Sequence, residues 1–118
     1  MMQSTSKVCP IVATIHRIGS EWKLIIIRYL MDRPLRFNQL LRLSGADSKT
    51  LSRVLRQLED EGLVRREVIS TRPFAVEYSL TEQAQELRPV IEEMRRWGEK
   101  WIDLEAEARE LAGVIDDA

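Results

Sequence analysis

The apolar residues of this chain change period partway along it. Leu51, Val54, Leu55 and Leu58 recur at i, i+3, i+4 and i+7, which places them on one buried helix face. Val76, Tyr78 and Leu80 then alternate with Ala75, Glu77 and Ser79, the pattern of a half-buried strand. A single core must therefore hold helices against a short sheet. This predicts a mainly α (α+β) fold. With 118 residues, 44% of them hydrophobic, the chain suffices for one such core, and a single domain over 1–118 is expected.

Start and stop signals divide the rest. Pro10, after Cys9, suits a first helical position, and Ile11, Ile15 and Ile18 recur until Gly19. Ser20 is an N-cap for a second helix from Glu21 to about Asp32, whose apolar face is Trp22, Ile25, Ile26, Tyr29 and Leu30. Pro34 stops it. A third, short helix is expected over about Asn38 to Leu43, then a turn, Ser44-Gly45-Ala46-Asp47. Asp47 or Ser48 caps a fourth helix running to Glu61 before Gly62. Two short helices about a glycine-bearing turn make a helix-turn-helix. Strands are expected over Leu63–Ile69 and Ala75–Leu80, joined by the loop Ser70-Thr71-Arg72-Pro73-Phe74. A hairpin following a helix-turn-helix is a wing. The layout is a winged helix-turn-helix, a three-helix core plus a β-hairpin wing and a long C-terminal dimerisation helix.

That last helix is capped by Thr81. From Leu87 its apolar residues are Leu87, Val90, Met94, Trp97, Trp101, Leu104, Ala108 and Leu111, in steps of 3, 4, 3, 4, 3, 4 and 3. A sustained 3.5-residue period is that of a helix packed along another helix. Pro89 either kinks one long helix or marks the start of a second. Two tryptophans on one face favour an interface between two chains over 87–111. Ile11, Ile15, Val90, Met94, Trp97, Trp101 and Leu104 are its expected members.

Charge is unevenly spread. Net charge is −1, but residues 1–80 hold 13 basic and 8 acidic side chains, while residues 81–118 hold 5 basic and 11 acidic. A body of +5 with an acidic extension of −6 suggests a polyanion-facing part. The fourth helix has the means to face one. Opposite its apolar stripe lie Lys49, Thr50, Ser52, Arg53, Arg56 and Gln57. A helix fits the major groove of B-DNA, and Arg and Gln can form paired hydrogen bonds to base edges. Ser48 and Lys49, near the helix start, suit a phosphate. Arg72 near the hairpin tip would reach the adjacent minor groove or backbone, and Arg36 at the third helix joins the set. One reading helix covers few base pairs, so a homodimer on two half-sites of double-stranded DNA is expected.

Several stretches resemble the HxlR family of winged helix-turn-helix regulators, relatives of the MarR group. They are Cys9-Pro10, Gly19-Ser20-Glu21-Trp22-Lys23, Arg36-Phe37-Asn38-Gln39-Leu40, Lys49-Thr50-Leu51-Ser52, Leu58-Glu59, Gly62-Leu63-Val64, Val76-Glu77-Tyr78-Ser79-Leu80-Thr81 and Trp97-Gly98. The resemblance implies a dimeric transcription factor on a partly palindromic operator, with the fourth helix in the major groove and the hairpin as wing; a repressor is expected, though the residues themselves leave the sign of regulation open. This chain has Ser20-Glu21 where the family often has Gly-Lys, Ala46-Asp47 where it has Ile-Ser, and Arg53-Val54 where it has Gln-Arg. The last difference moves an arginine about 100° around the helix.

Cys9 is the one cysteine. At a helix N-terminus, near Lys7, it is a candidate redox-sensing thiol; the alternative is a small, unreactive hydrophobe. Some relatives resemble it in sensing oxidants or electrophiles near this position, so an oxidant or small-molecule effector is an expected partner. The one His, His16, reads as structural or surface. One His and one Cys exclude a four-ligand structural zinc site, and no metal or cofactor is expected. There is no nucleophile–base constellation or phosphate loop, so no enzyme is expected. No run spans a bilayer and the N-terminus lacks a secretory segment, so a cytoplasmic protein without membrane contact is expected. The rival classes are a winged-helix module for protein partners and a non-specific architectural DNA binder. Arginines on both helix and wing count against the first.

Overall fold

The computed structural model describes residues 8–117. In chain order it contains α1 (Pro10–Ile18), α2 (Glu21–Leu30), β1 (Leu35–Arg36), α3 (Phe37–Ser44), α4 (Ser48–Asp60), β2 (Val64–Thr71), β3 (Phe74–Leu80), α5 (Glu82–Gln85), α6 (Arg88–Trp101) and α7 (Leu104–Asp117). The chain divides between Glu86 and Leu87 into two compact units.

The first unit is a helical core on a three-stranded antiparallel sheet of order β1-β3-β2. Its interior is Ile26, Ile27, Leu30, Leu35, Leu40, Leu51, Val54, Leu55 and Leu58, with Leu63 just before β2 and Val64 and Leu80 from the sheet. The stripe expected on α4 is the buried one. On α2 the stripe is displaced. Lys23, Ile26, Ile27 and Leu30 are buried, whereas Trp22, Ile25 and Tyr29 are half-buried. Lys23 can occupy that face because its ammonium donates to the Arg17 carbonyl at 3.0 Å and to both Glu61 carboxylate oxygens at 3.0 and 3.1 Å. A buried charge needs such compensation.

Side-chain caps fix the helix starts. The Lys23 amide donates to Ser20 Oγ at 3.1 Å, the Thr50 amide to Asp47 Oδ1 at 2.7 Å, and the Ala84 amide to Thr81 Oγ1 at 3.3 Å. Asp47, not Ser48, is thus the α4 cap. Gly45 ends α3 at φ 76° and Gly62 follows α4 at φ 75°, a left-handed backbone that glycine adopts without penalty.

The sheet departs from expectation in two ways. Thr71 pairs with Phe74, so the five-residue loop contracts to Arg72-Pro73, joined by a cis peptide bond. A register shift between Val68 and Ser70 breaks the alternation there and hides the strand's continuation. β1 was not expected, because two residues show no period. It pairs Leu35 with Tyr78 and Arg36 with Glu77, and Leu35 is buried.

The second unit holds α6 and α7. Of the two alternatives at Pro89, the second holds: α5 ends at Gln85 and α6 starts at Arg88, with the proline in its first turn. The single helix expected over 87–111 is divided. Ile102 is extended at φ −107°, ψ 132°, and Asp103 Oδ1 accepts from the Ala106 amide at 3.0 Å, capping α7. Apolar spacing carries through this break because it registers side-chain periodicity and not the backbone turn between Trp101 and Leu104.

Candidate nucleic-acid interface

Helix α4 is held from below and open above. Leu51, Val54, Leu55 and Leu58 are at most 2% exposed, while Ser48, Lys49, Ser52, Arg53, Arg56 and Gln57 are exposed and Thr50 is half-buried. The Thr50 amide on Asp47 holds that carboxyl below the usual carboxylate range. The cap is therefore charged throughout the neutral range and sits at the positive end of the helix dipole. None of the ion pairs among the described residues involves Lys49, Arg53, Arg56, Arg66 or Arg72. These cations are exposed and make no ion pair among the described residues.

Ser52, Arg53, Arg56 and Gln57 line one open groove along α4, with Asp60. A second groove, about 430 Å³, lies between α4 and the sheet and brings Arg36, Phe37, Asn38 and Ser52 together with Arg66, Phe74 and Tyr78. Ser48, Lys49 and Thr50 occupy the first turn of α4, and Arg72 stands exposed at the hairpin tip; neither group lines these grooves. Three acidic residues end the helix region. Glu61 is drawn away into its pair with Lys23, leaving Glu59 and Asp60 exposed.

Two residues escaped sequence reading. Arg66 has the same parity as Val64 and Val68, so strand alternation already put it on the helix-facing side of β2. Lys23 had no such signal, because a lysine inside an apolar stripe reads as solvated until its partner 38 residues away is known.

The apolar residues expected at an interface are uncovered in each unit. In α1, Ile11 is 71% and Ile15 55% exposed; in α6, Trp97 is 61% and Trp101 66% exposed. Val90, Met94 and Leu104 are exposed as well, and no residue of α6 is buried. On the remaining α6 surface, Arg95 pairs with Glu92 at 3.2 Å and Arg96 with Glu93 at 2.7 Å. Cys9 is the N-cap residue of α1, and its thiol is exposed and makes no capping hydrogen bond. Lys7 lies outside the described residues. His16 is exposed. Among the described residues no cluster of three or more His, Cys, Asp or Glu could hold a metal. No helix there is long and apolar enough to cross a membrane.

Two helices meeting at a left-handed glycine, the second flanked by a hairpin and bearing unpaired cations, define a winged helix-turn-helix of the DNA-binding class. Comparison with known proteins narrows this. The HxlR-like helix-turn-helix family pattern matches residues 17–106, and the chain belongs to that family of transcriptional regulators. It is 43% identical over 96 residues to the uncharacterized HTH-type transcriptional regulator YdeP of Bacillus subtilis strain 168, covering 80% of this chain and 75% of that one. It is 37% identical over 110 residues to YybR, an uncharacterized HTH-type regulator of the same strain, covering 92% and 87%. Among solved structures it is similar to the redox regulator HypR in its oxidized form, with 40% identity, a TM-score of 0.74, and coverage of 80% and 99%. The reduced form of the B. subtilis transcriptional regulator YodB matches with 32% identity, a TM-score of 0.73, and coverage of 81% and 96%.

Proposed function

We propose that this transcriptional regulator acts as a homodimer on a pseudo-palindromic operator, with α4 of each chain in successive major grooves and the wing beside it. The observation that carries this reading is the outer side of α4. Arg53, Arg56 and Gln57 stand exposed and without ion pairs, over a face whose every apolar residue is buried. Base readout needs donors that are free and a helix that does not roll. Lys49 and Ser48 contact phosphate, and Arg72 the neighbouring backbone or minor groove.

The exposed apolar residues of α1 and α6 support pairing of two chains. Large apolar side chains exposed in this way, on each element by itself, are unusual on a monomer, and two tryptophans suit an interface. With its cationic surface on the duplex, the dimer is proposed to repress by occupying its operator. An oxidant or electrophile response through Cys9 is supported by the exposed thiol at the α1 N-cap and by similarity to a redox regulator solved in oxidized and reduced forms.

Selection of bound duplexes from a random pool, with and without diamide, tests the whole reading. A palindromic consensus with half-sites about one helical turn apart is expected, with weaker retention under diamide. Cys9→Ser removes the diamide effect. An unchanged response in that variant overturns the thiol's role, and a pool with no consensus overturns specific readout.

A further inference from the structure

Arg66 is the one charged residue on the helix-facing side of the paired hairpin strands. Pairing sets Val64, Arg66 and Val68 of β2 opposite Leu80, Tyr78 and Val76 of β3. Val64 and Leu80 are buried at the base of that side. Arg65, one residue earlier, falls on the other side opposite Ser79. The Arg66 guanidinium is exposed and takes part in no ion pair among the described residues. It lines the groove between α4 and the sheet, with Ser52, Arg36 and Asn38, and a further, smaller groove with Ser52, Arg56 and Glu59. Glu77 stands opposite Arg36 in register but makes no ion pair with it.

We infer that Arg66, with Arg36 across the groove and the Ser52 hydroxyl lining it, seats a backbone phosphate of the DNA strand that passes between α4 and the wing. The inference rests on the DNA-binding reading above and deepens it. A guanidinium matches phosphate with two parallel hydrogen bonds, and a strand bearing it out of an apolar surface holds it in place. Glu59 bounds the seat. Its carboxylate beside Arg56 and Arg66 repels phosphate and leaves the Arg36 end as the path of the strand. The wing thus grips the backbone along its inner side as well as at Arg72.

The test measures duplex affinity against NaCl concentration for the full chain and for R66Q, R65Q and the double variant R36Q/R66Q. The probes are a pool-selected duplex and a scrambled duplex of equal length. R66Q should weaken both by about the same factor, roughly tenfold, and lower the slope of log affinity on log salt by about one. The double variant should lower it by about two, and R65Q should leave it unchanged. A wild-type slope in R66Q, or a loss confined to the selected duplex, overturns the phosphate seat. Should R66Q melt earlier than the parent, R66K decides: a restored slope supports the seat, and a slope still lowered overturns it. Absence of salt-dependent duplex binding by the parent chain would instead sink the DNA-binding reading itself.

Discussion

Arg53 and Leu55 stand two positions apart on α4 and face opposite ways. Leu55 is 2% exposed in the core. Leu55→Ala should cost about 2–5 kcal/mol of folding stability, because the lost methyls leave a cavity as well as lost burial; urea unfolding followed by circular dichroism reads it. Arg53 is exposed and unpaired, so Arg53→Ala should leave that unfolding curve in place. If it reads a base it should cost about 1–3 kcal/mol of binding to the selected duplex alone, measured by fluorescence anisotropy. Equal loss on every duplex would reassign it to phosphate. Lys23 shows a third kind of residue, a charge inside the core whose three hydrogen bonds tie the last turn of α1 to the end of α4.

At the scale of elements, α4 is fixed at both ends. Gly62 releases the chain into β2, and Thr81 Oγ1 donates to the Gly62 carbonyl at 2.8 Å. At the other end Asp47 accepts from Thr50, which holds its carboxyl below the usual carboxylate range. A depressed folded value means the unfolded chain takes up the proton first. The cap's contribution is therefore complete above the unfolded value and is lost as pH falls through the lower, folded one. Thermal unfolding from pH 6 downward should show the parent losing stability relative to Asp47→Asn only below about pH 4, since Asn caps without titrating. A constant difference across that range would contradict the role of the charge. The hairpin was legible in type but not in extent. Strand parity identified both strands, yet the shift at Ile69 and the Thr71–Phe74 pair lengthened them beyond the visible alternation. Likewise the helix-turn-helix followed from Gly45 and the α4 stripe, whereas β1 exists only because β3 offers it an edge.

At the scale of the molecule, the question is association. The α6 face of Val90, Met94, Trp97 and Trp101 is exposed, and its removal from water is the driving force proposed for pairing. Light scattering after gel filtration should give the parent a mass twice its 13.7 kDa. Trp97→Lys with Trp101→Lys should return it to one chain and weaken binding to the two-half-site duplex, while circular dichroism stays helical. A parent that stays at 13.7 kDa at the concentrations where it binds DNA overturns the dimer.

Sequence by itself determined the kind of fold and the exposed side of α4, because both depend on local periodicity. A stripe at helical spacing must be buried, so its opposite face must be presented. Tertiary structure alone decided where charges ended up and where helices stopped. Lys23 met Glu61 only once α2 and α4 had packed. Arg66 came to face Ser52 only once the hairpin lay beside its helix, and the run of heptads yielded to a backbone turn at Ile102. Those outcomes depend on contacts between residues far apart in the chain, which no local repeat records.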